Sequence, residues 1–500
     1  MDMKSHYLIA QNFLKELAKA GHNVTVFTGF KSNNLPQNYR EVVVNVPSLD
    51  EFKKSVTKDG SFLNLILSVN SFQDYSRDCS RAVVWNDELQ ALINSKTEVD
   101  CVVMGFSESP VLLGISKVLK APVVMTSTQK LAYFLEYYIG AFAHDSFVTN
   151  PMLTVDPKIT FFIRMKNTVV NWVFRILMRF NFWTQEDTYK ELFPSVEGSL
   201  WDAISDSVQL MLVNSHFSLD RPMPYMTNMI EVGGMQISDE INDLPNDLQK
   251  FMDSATDGVI YFCMGSTLKL KELDSVKKNS IIEGLKKTKL PVIIKWDDES
   301  TIQEFSSKTK FFASNWLPQN DILANPKVKA YVTHGGLLST TEAVYHGVPI
   351  VGIPIFGDQS NNIKKFMDFD MAVQVDYATL TAESLSSAIN HVITDKKFSQ
   401  NAKSLSQRFR DRPMTPTKTA KYWVEYVMRH KNQDFMKSPA MKLSLIEYFN
   451  LDVYLMILGA VLISCCFGWK VSKCIFGKVW SRLCRICRKD QKEVFKEKKS

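Results

Sequence analysis

The stretch from Trp316 to Gln359 carries polar residues at spacings suited to holding a phosphate ester. Val328 to Thr333 is a β-branched and aromatic run that predicts a short strand, and His334-Gly335-Gly336 interrupts it. A helical pattern follows from Ser339 through Tyr345 until Gly347 stops it. Val348 to Pro354 reads as the next buried strand, ended by the loop Gly357-Asp358-Gln359. A strand, a Gly-Gly turn and a helix start leave backbone N–H groups beside the positive end of a helix dipole, a geometry that holds anions. No Asp-x-Asp pair stands in this stretch to hold a divalent ion, so no metal is expected and the helix terminus is expected to supply the charge.

The elements that must position this turn alternate between two periods. Ala10 to Ala20 has helical apolar spacing (Phe13, Leu14, Leu17, Ala18) and stops at Gly21; Val24 to Thr28 and Glu41 to Val46 follow as strands. Val99 to Met104 predicts a buried strand, Pro110 to Leu119 a helix, and Pro122 to Thr126 another strand. From Gly258 the plan repeats, with strand 258–263, helix 272–286 and strands 291–295 and 310–313 leading into the turn. The fold class is therefore α/β with parallel sheets, and two doubly wound domains in series imply a ligand cleft between them.

The chain of 500 residues is too long for one core. Its net charge of +6 is uneven: from Lys470 to Ser500 eleven Lys/Arg oppose Asp490, Glu493 and Glu497, and removing that +8 leaves −2 on residues 1–469. A near-neutral body argues against a nucleic-acid partner. Val453 to Trp469 has no charge and, with Leu451, approaches the roughly 20 residues that cross a bilayer. The basic run Lys470, Lys473, Lys478, Arg482 and Arg485 marks the following side as cytoplasmic. Cys79, Cys101 and Cys263 are isolated and read as small buried hydrophobes rather than a disulfide framework. Phe161 to Trp183 is strongly apolar with Arg164, Lys166, Arg175 and Arg179 along it. It predicts either a helix lying on a membrane surface or one packed against its own domain.

The 44 residues from Trp316 to Gln359, with Leu212-Val213-Asn214-Ser215-His216-Phe217, Glu231-Val232-Gly233-Gly234 and Gly258 to Ser266, resemble the UDP-glycosyltransferases. These enzymes move a sugar from a UDP-sugar to a small lipophilic acceptor, and the resemblance reaches from His6 to the C-terminal tail. It implies the GT-B fold, two Rossmann-like domains facing across a cleft, plus one C-terminal transmembrane helix. The implied division is an acceptor-binding domain 1–232, a UDP-sugar-binding domain 233–432, a linker 433–450, a membrane helix 451–469 and a cytoplasmic tail 470–500. In the donor site the resemblance puts Trp316 on the uracil face and Gln319 at its edge. Gly265, Ser266, His334, Gly336 and Ser339 fall on the diphosphate, Glu342 on the ribose hydroxyls, and Asp358 and Gln359 on the transferred sugar. No cofactor is implied beyond the donor, UDP-glucose or UDP-glucuronate. The Leu-Leu-Ser-Thr-Thr-Glu version, Leu337 to Glu342, is more similar to invertebrate members and favours glucose.

Ser5-His6, ahead of the first helix, aligns with the family's catalytic base; an imidazole can take the proton from an attacking hydroxyl. The family pairs this histidine with an aspartate at the tip of the strand Val99–Met104. Here Gly105 stands there, and Glu108 in the same loop is the replacement expected. Family members also begin with a signal peptide and one more strand, whereas this sequence starts Met1-Asp2-Met3-Lys4, so a truncated N-terminus or alternative start is expected. Tyr422 to Met428 resembles the helices that cross back to brace the first domain. The terminal Lys496-Glu497-Lys498-Lys499-Ser500 resembles a dilysine retrieval signal, implying a single-pass protein of the endoplasmic reticulum membrane with its domains in the lumen. Two readings stand: a membrane-anchored inverting hexosyltransferase of detoxification type, and a catalytically impaired UDP-sugar or lipophile-binding relative that pairs with active paralogues. Assembly with itself or with related transferases is left open.

Overall fold

Runs of Val, Ile and Phe lay down twelve strands, every pair of them parallel, among the residues that the computed structural model describes. Those residues are 4–48, 62–95, 97–106, 109–151, 153, 159–238, 240–265, 273–355, 357–431 and 434–497. In the first lobe β1 (Val24–Thr28) pairs with β2 (Tyr39–Val43), while β3 (Val102–Gly105), β4 (Val123–Ser127), β5 (Val208–Val213) and β6 (Met229–Glu231) make a sheet in that order. The first-lobe strands thus form two separate sheets among the described residues, with no hydrogen-bonded ladder joining β1 to β3.

The second lobe holds β7 (Val259–Cys263), β8 (Val292–Lys295), β9 (Phe311–Ser314), β10 (Val328–Thr333), β11 (Ile350–Gly352) and β12 (Ala372–Gln374). Their order is β12-β11-β10-β7-β8-β9, so chain order reverses between β7 and β10. Period-two alternation feeds two cores: Val259, Tyr261 and Cys263 enter one cluster, and Ile260 and Phe262 the other. Helices on both faces bury both clusters, as a parallel sheet requires.

The helix Pro416–Arg429 crosses back to the first lobe, where Ala420, Val424 and Val427 pack with Ile9, Phe13 and Leu17 of the helix Lys4–Lys19. The helix Phe161–Leu192 docks through polar residues. Arg175, fully buried, donates to Glu136 at 2.8 and 2.9 Å and to Asp145 at 2.8 Å, and Asn171 Nδ2 donates to Asp145 at 2.9 Å.

Residues 439–500 are a separate unit. Its main element is the unbroken 47-residue helix Leu451–Glu497, of which Leu451–Arg485 is long and apolar enough to cross a membrane. The basic residues after Trp469 continue the same helix.

Removing Glu136 takes the fully buried carboxylate from the fully buried Arg175 and leaves the cation to Asp145, which is 15% exposed. Glu136→Ala is expected to cost about 3–5 kcal/mol, seen as a lower midpoint in urea unfolding of the detergent-solubilised chain. An unchanged midpoint would show that the Arg175 network carries no stability.

Candidate functional site

The site grows from the register of two neighbouring strands. Thr333 at the end of β10 pairs with Cys263 at the end of β7, so the turns that follow leave the sheet side by side. This is the point where strand order reverses, and open α/β sheets bind ligands there. Gly265 takes φ +80° and Gly335 φ +90°, backbone that side chains disfavour. The His334 imidazole lies between the two turns: a Cβ on Gly265 would come within 2.5 Å of its Cε1, and one on Gly336 within 2.7 Å of its Nε2. Burial, reinforced by Lys295, lowers the His334 pKa to about 4, so the ring is neutral at physiological pH.

Gly336 is the N-cap of the helix Leu337–His346, which has no side-chain cap. The first-turn amides are thus left for another acceptor. Lys295 Nζ, at the end of β8, donates to the Gly265 carbonyl at 3.4 Å, adding a cation beside the same turns. Asn362 Nδ2 donates to the Gly335 carbonyl at 3.1 Å and to Asp358 Oδ2 at 2.9 Å, tying the Gly-Gly turn to the 357–359 loop. Gln359 is buried, its Oε1 accepting from the Ile355 amide at 2.8 Å.

Deeper in, Gln319 Oε1 accepts from Tyr331 at 3.0 Å and Tyr261 at 3.4 Å. Its Nε2 donates to Glu342 Oε2 at 2.6 Å and to Ser339 Oγ at 3.4 Å. The Gln319 side chain therefore faces inward and engages Glu342, the residue expected to meet a ribose. Burial lifts the Glu342 carboxyl to about 7, against the Gln319 hydrogen bond that favours its ionised form. Trp316 is 63% exposed just beyond β9, available as a stacking face rather than held as a core indole.

Gly265, His334, Gly336, Gln319, Ser339, Glu342 and Asp358 thus gather around one switch point. Ser266 and Glu108 lie outside the described residues. His6 belongs to the opposite lobe and sits inside the helix Lys4–Lys19, not ahead of it, because helical structure already begins at Lys4. The spacing His6, Ile9, Phe13 puts them on one face. Leu338, second residue of the helix Leu337–His346, packs against the cluster containing Ile9 and Phe13. Gln236 links the same elements, accepting from Asn12 at 2.6 Å through its carbonyl and donating to the Leu338 carbonyl at 3.4 Å. Burial lowers the His6 pKa to about 4. Gly105 ends β3. Lys295 and Asn362 escaped the sequence reading; a lysine closing a buried strand at the switch-point end was the available signal for the first.

Two lobes of parallel α/β structure, with glycine turns at the strand-order reversal of the second, have the architecture of the GT-B fold. The family model described as "UDP-glucoronosyl and UDP-glucosyl transferase" matches residues 1–486. "UDP-glycosyltransferase UGT5" of Dactylopius coccus is 34% identical over 94% of this chain and 90% of its own length. "UDP-glucosyltransferase 2" of the same insect is 32% identical over 95% and 92%. The solved structure of a UDP-glucose: anthocyanidin 3-O-glucosyltransferase with UDP superposes at TM-score 0.51, 17% identical, covering 85% of this chain and 96% of that one. The chain belongs to the UDP-glucuronosyl and UDP-glucosyl transferase family. It is an enzyme of the UDP-glycosyltransferase class.

The Glu342 carboxyl generates a pH test with UDP-glucose, whose diphosphate does not titrate near neutrality. With a pKa of about 7, Glu342 is mostly protonated at pH 6 and ionised at pH 8. Ribose hydroxyls donating to it favour the ionised form, so affinity is expected to rise through pH 7, by up to roughly tenfold per pH unit below it. His334, at about 4, does not titrate in this window. Calorimetry on Glu342→Gln is expected to show a flat profile; a slope that survives would remove Glu342 from the ribose site.

Proposed function

We propose that this enzyme transfers a hexose, glucose in preference to glucuronate, from its UDP-sugar to a hydroxyl of a small lipophilic acceptor, with inversion at the anomeric carbon. The observation that carries the reading is the uncapped helix start at Gly336, set beside Gly265, His334 and Lys295 at the strand-order reversal. The diphosphate rests on the first-turn amides, with the helix dipole and Lys295 offsetting its charge. Trp316 stacks on uracil, Glu342 takes the ribose hydroxyls, and Asp358 and Gln359 hold the sugar. The glucose preference rests on the Leu337 to Glu342 motif and on the name borne by the second insect relative.

In the transfer step the acceptor oxygen bonds to the anomeric carbon as its proton passes to neutral His6. The bond from that carbon to the β-phosphate oxygen breaks, and UDP leaves with the electron pair into the amide cradle. Attack from the face opposite the leaving group inverts the centre. The helix Leu451–Arg485 supports a single-pass anchor, and the basic residues after Trp469 support a cytoplasmic tail with residues 1–438 in the lumen of the endoplasmic reticulum.

His334→Ala is expected to weaken UDP binding by about 1–3 kcal/mol, the scale of a lost hydrogen bond to a charged group. His6→Ala is expected to leave UDP binding intact and cut turnover on phenols by roughly 10²–10⁴-fold. Full turnover in His6→Ala would remove the base assignment, and unchanged UDP affinity in His334→Ala would move the donor elsewhere. Protease added to sealed microsomes is expected to clip only beyond about residue 470; digestion of the body would reverse the orientation.

A further inference from the structure

The helix Phe161–Leu192 buries a mixed face, with Phe174, Phe182, Tyr189 and Leu192 set among polar side chains. Its protein-facing side carries Asn167, Asn171, Arg175, Asn181 and Gln185, all buried. They are hydrogen-bonded within the lobe: Asn167 to the Val148 carbonyl at 2.8 Å, Asn171 to Asp145, and Ser109 to Gln185 at 2.7 Å. The opposite side carries Phe162, Met165, Val169, Ile176, Phe180 and Trp183, between 48% and 73% exposed. Their spacings of 3, 4, 7, 4 and 3 residues keep them on one stripe, roughly 30 Å long at 1.5 Å per residue. At roughly 100 Å² for each large side chain, the stripe exceeds the few hundred Å² that a monomer ordinarily leaves in one apolar patch.

The charges around the stripe say what covers it. No Asp or Glu occurs from Phe161 to Trp183; the exposed charges are Arg164, Lys166 and Arg179, with Lys166 along one edge of the stripe and Arg179 along the other. Acids return only at Glu186, Asp187 and Glu191. A second copy docked symmetrically would bring these cations against their own kind. A bilayer surface carrying anionic headgroups accepts both the apolar stripe and its basic margins. The helix cannot span, because its other face is committed to the lobe through a buried Arg175.

We propose that the 161–183 face lies flat in the interface of an anionic bilayer, a second membrane contact besides the C-terminal helix. It rests on the anchor reading in one respect only: a spanning helix in the same chain keeps this face at high local concentration near lipid.

The test uses the purified full chain in nanodiscs of phosphatidylcholine and phosphatidylserine doped with a photoactivatable phosphatidylcholine, with lipid adducts mapped by mass spectrometry. Adducts are expected within 161–183 as well as within 451–485. Lys166→Glu/Arg179→Glu and Phe180→Glu/Trp183→Glu are each expected to cut the 161–183 adducts several-fold while leaving those in 451–485 unchanged. Retained UDP binding certifies that each variant is folded. Adducts confined to 451–485 would overturn the proposal while sparing the anchor. Cross-links between copies through 161–183 with no lipid adduct there would overturn it in favour of self-association. Adducts within 161–183 that persist undiminished in both variants would overturn the stated face. Absence of adducts from 451–485 would instead sink the anchor reading.

Discussion

Two backbones approach one imidazole so closely that only hydrogen can stand on the carbons facing it, and much of the second lobe follows from that approach. Gly265 and Gly336 flank His334 because β7 and β10 run parallel, adjacent and level at their ends. Level ends require the switch in strand order, and the switch requires both sheet faces to be covered by helices. The alternation of Val259, Tyr261 and Cys263 against Ile260 and Phe262 provides the two apolar faces. Desolvation of the ring then follows, and with it a neutral histidine whose neighbours are backbone dipoles and Lys295.

The first lobe meets this point through a few contacts of different kinds. Gln236 bridges Asn12 and Leu338, and Asp220, which accepts from Lys130 at 3.3 Å, accepts from Lys365 of the second lobe at 3.4 Å. The 416–429 helix adds apolar packing onto the His6 helix through Ala420, Val424 and Val427. Hydrogen bonds and ion pairs of this kind fix register more than they stabilise, because each exchanges protein partners for water at small net gain.

The strand Val328–Thr333 and the turn after it were legible because β-branched residues meet Gly-Gly within a few positions. The helix begins two residues before Ser339 because Gly336 itself serves as the cap, leaving Leu337 and Leu338 helical. His6 lies inside a helix whose start at Lys4 no capping residue marks in the sequence. The split between β1–β2 and the β3–β6 sheet left no local trace, since strand pairing is a long-range choice. The 161–192 helix was ambiguous for a clear reason. Its exposed aromatics lie on one face and its asparagines on another that also takes Phe174 and Phe182, and periodicity alone cannot say which side meets the protein. Glu136 and Asp145, remote in sequence, decide it by capturing Arg175. The inward turn of Gln319 likewise depends on tyrosines from two separate strands.

The helix Leu451–Glu497 has a geometric consequence of its own. At 1.5 Å per residue, 47 residues make a rod of about 70 Å, more than twice the roughly 30 Å of a bilayer's hydrocarbon. Its cations are therefore strung along an axis instead of being folded into a patch. Electrostatic attraction to a charged surface decays over about 8 Å at physiological ionic strength, little more than one helical turn. Across a bilayer, Lys470 and Lys473 would feel the headgroups, while Arg482 and Arg485 would stand beyond their reach, screened and accessible to whatever approaches from the aqueous side.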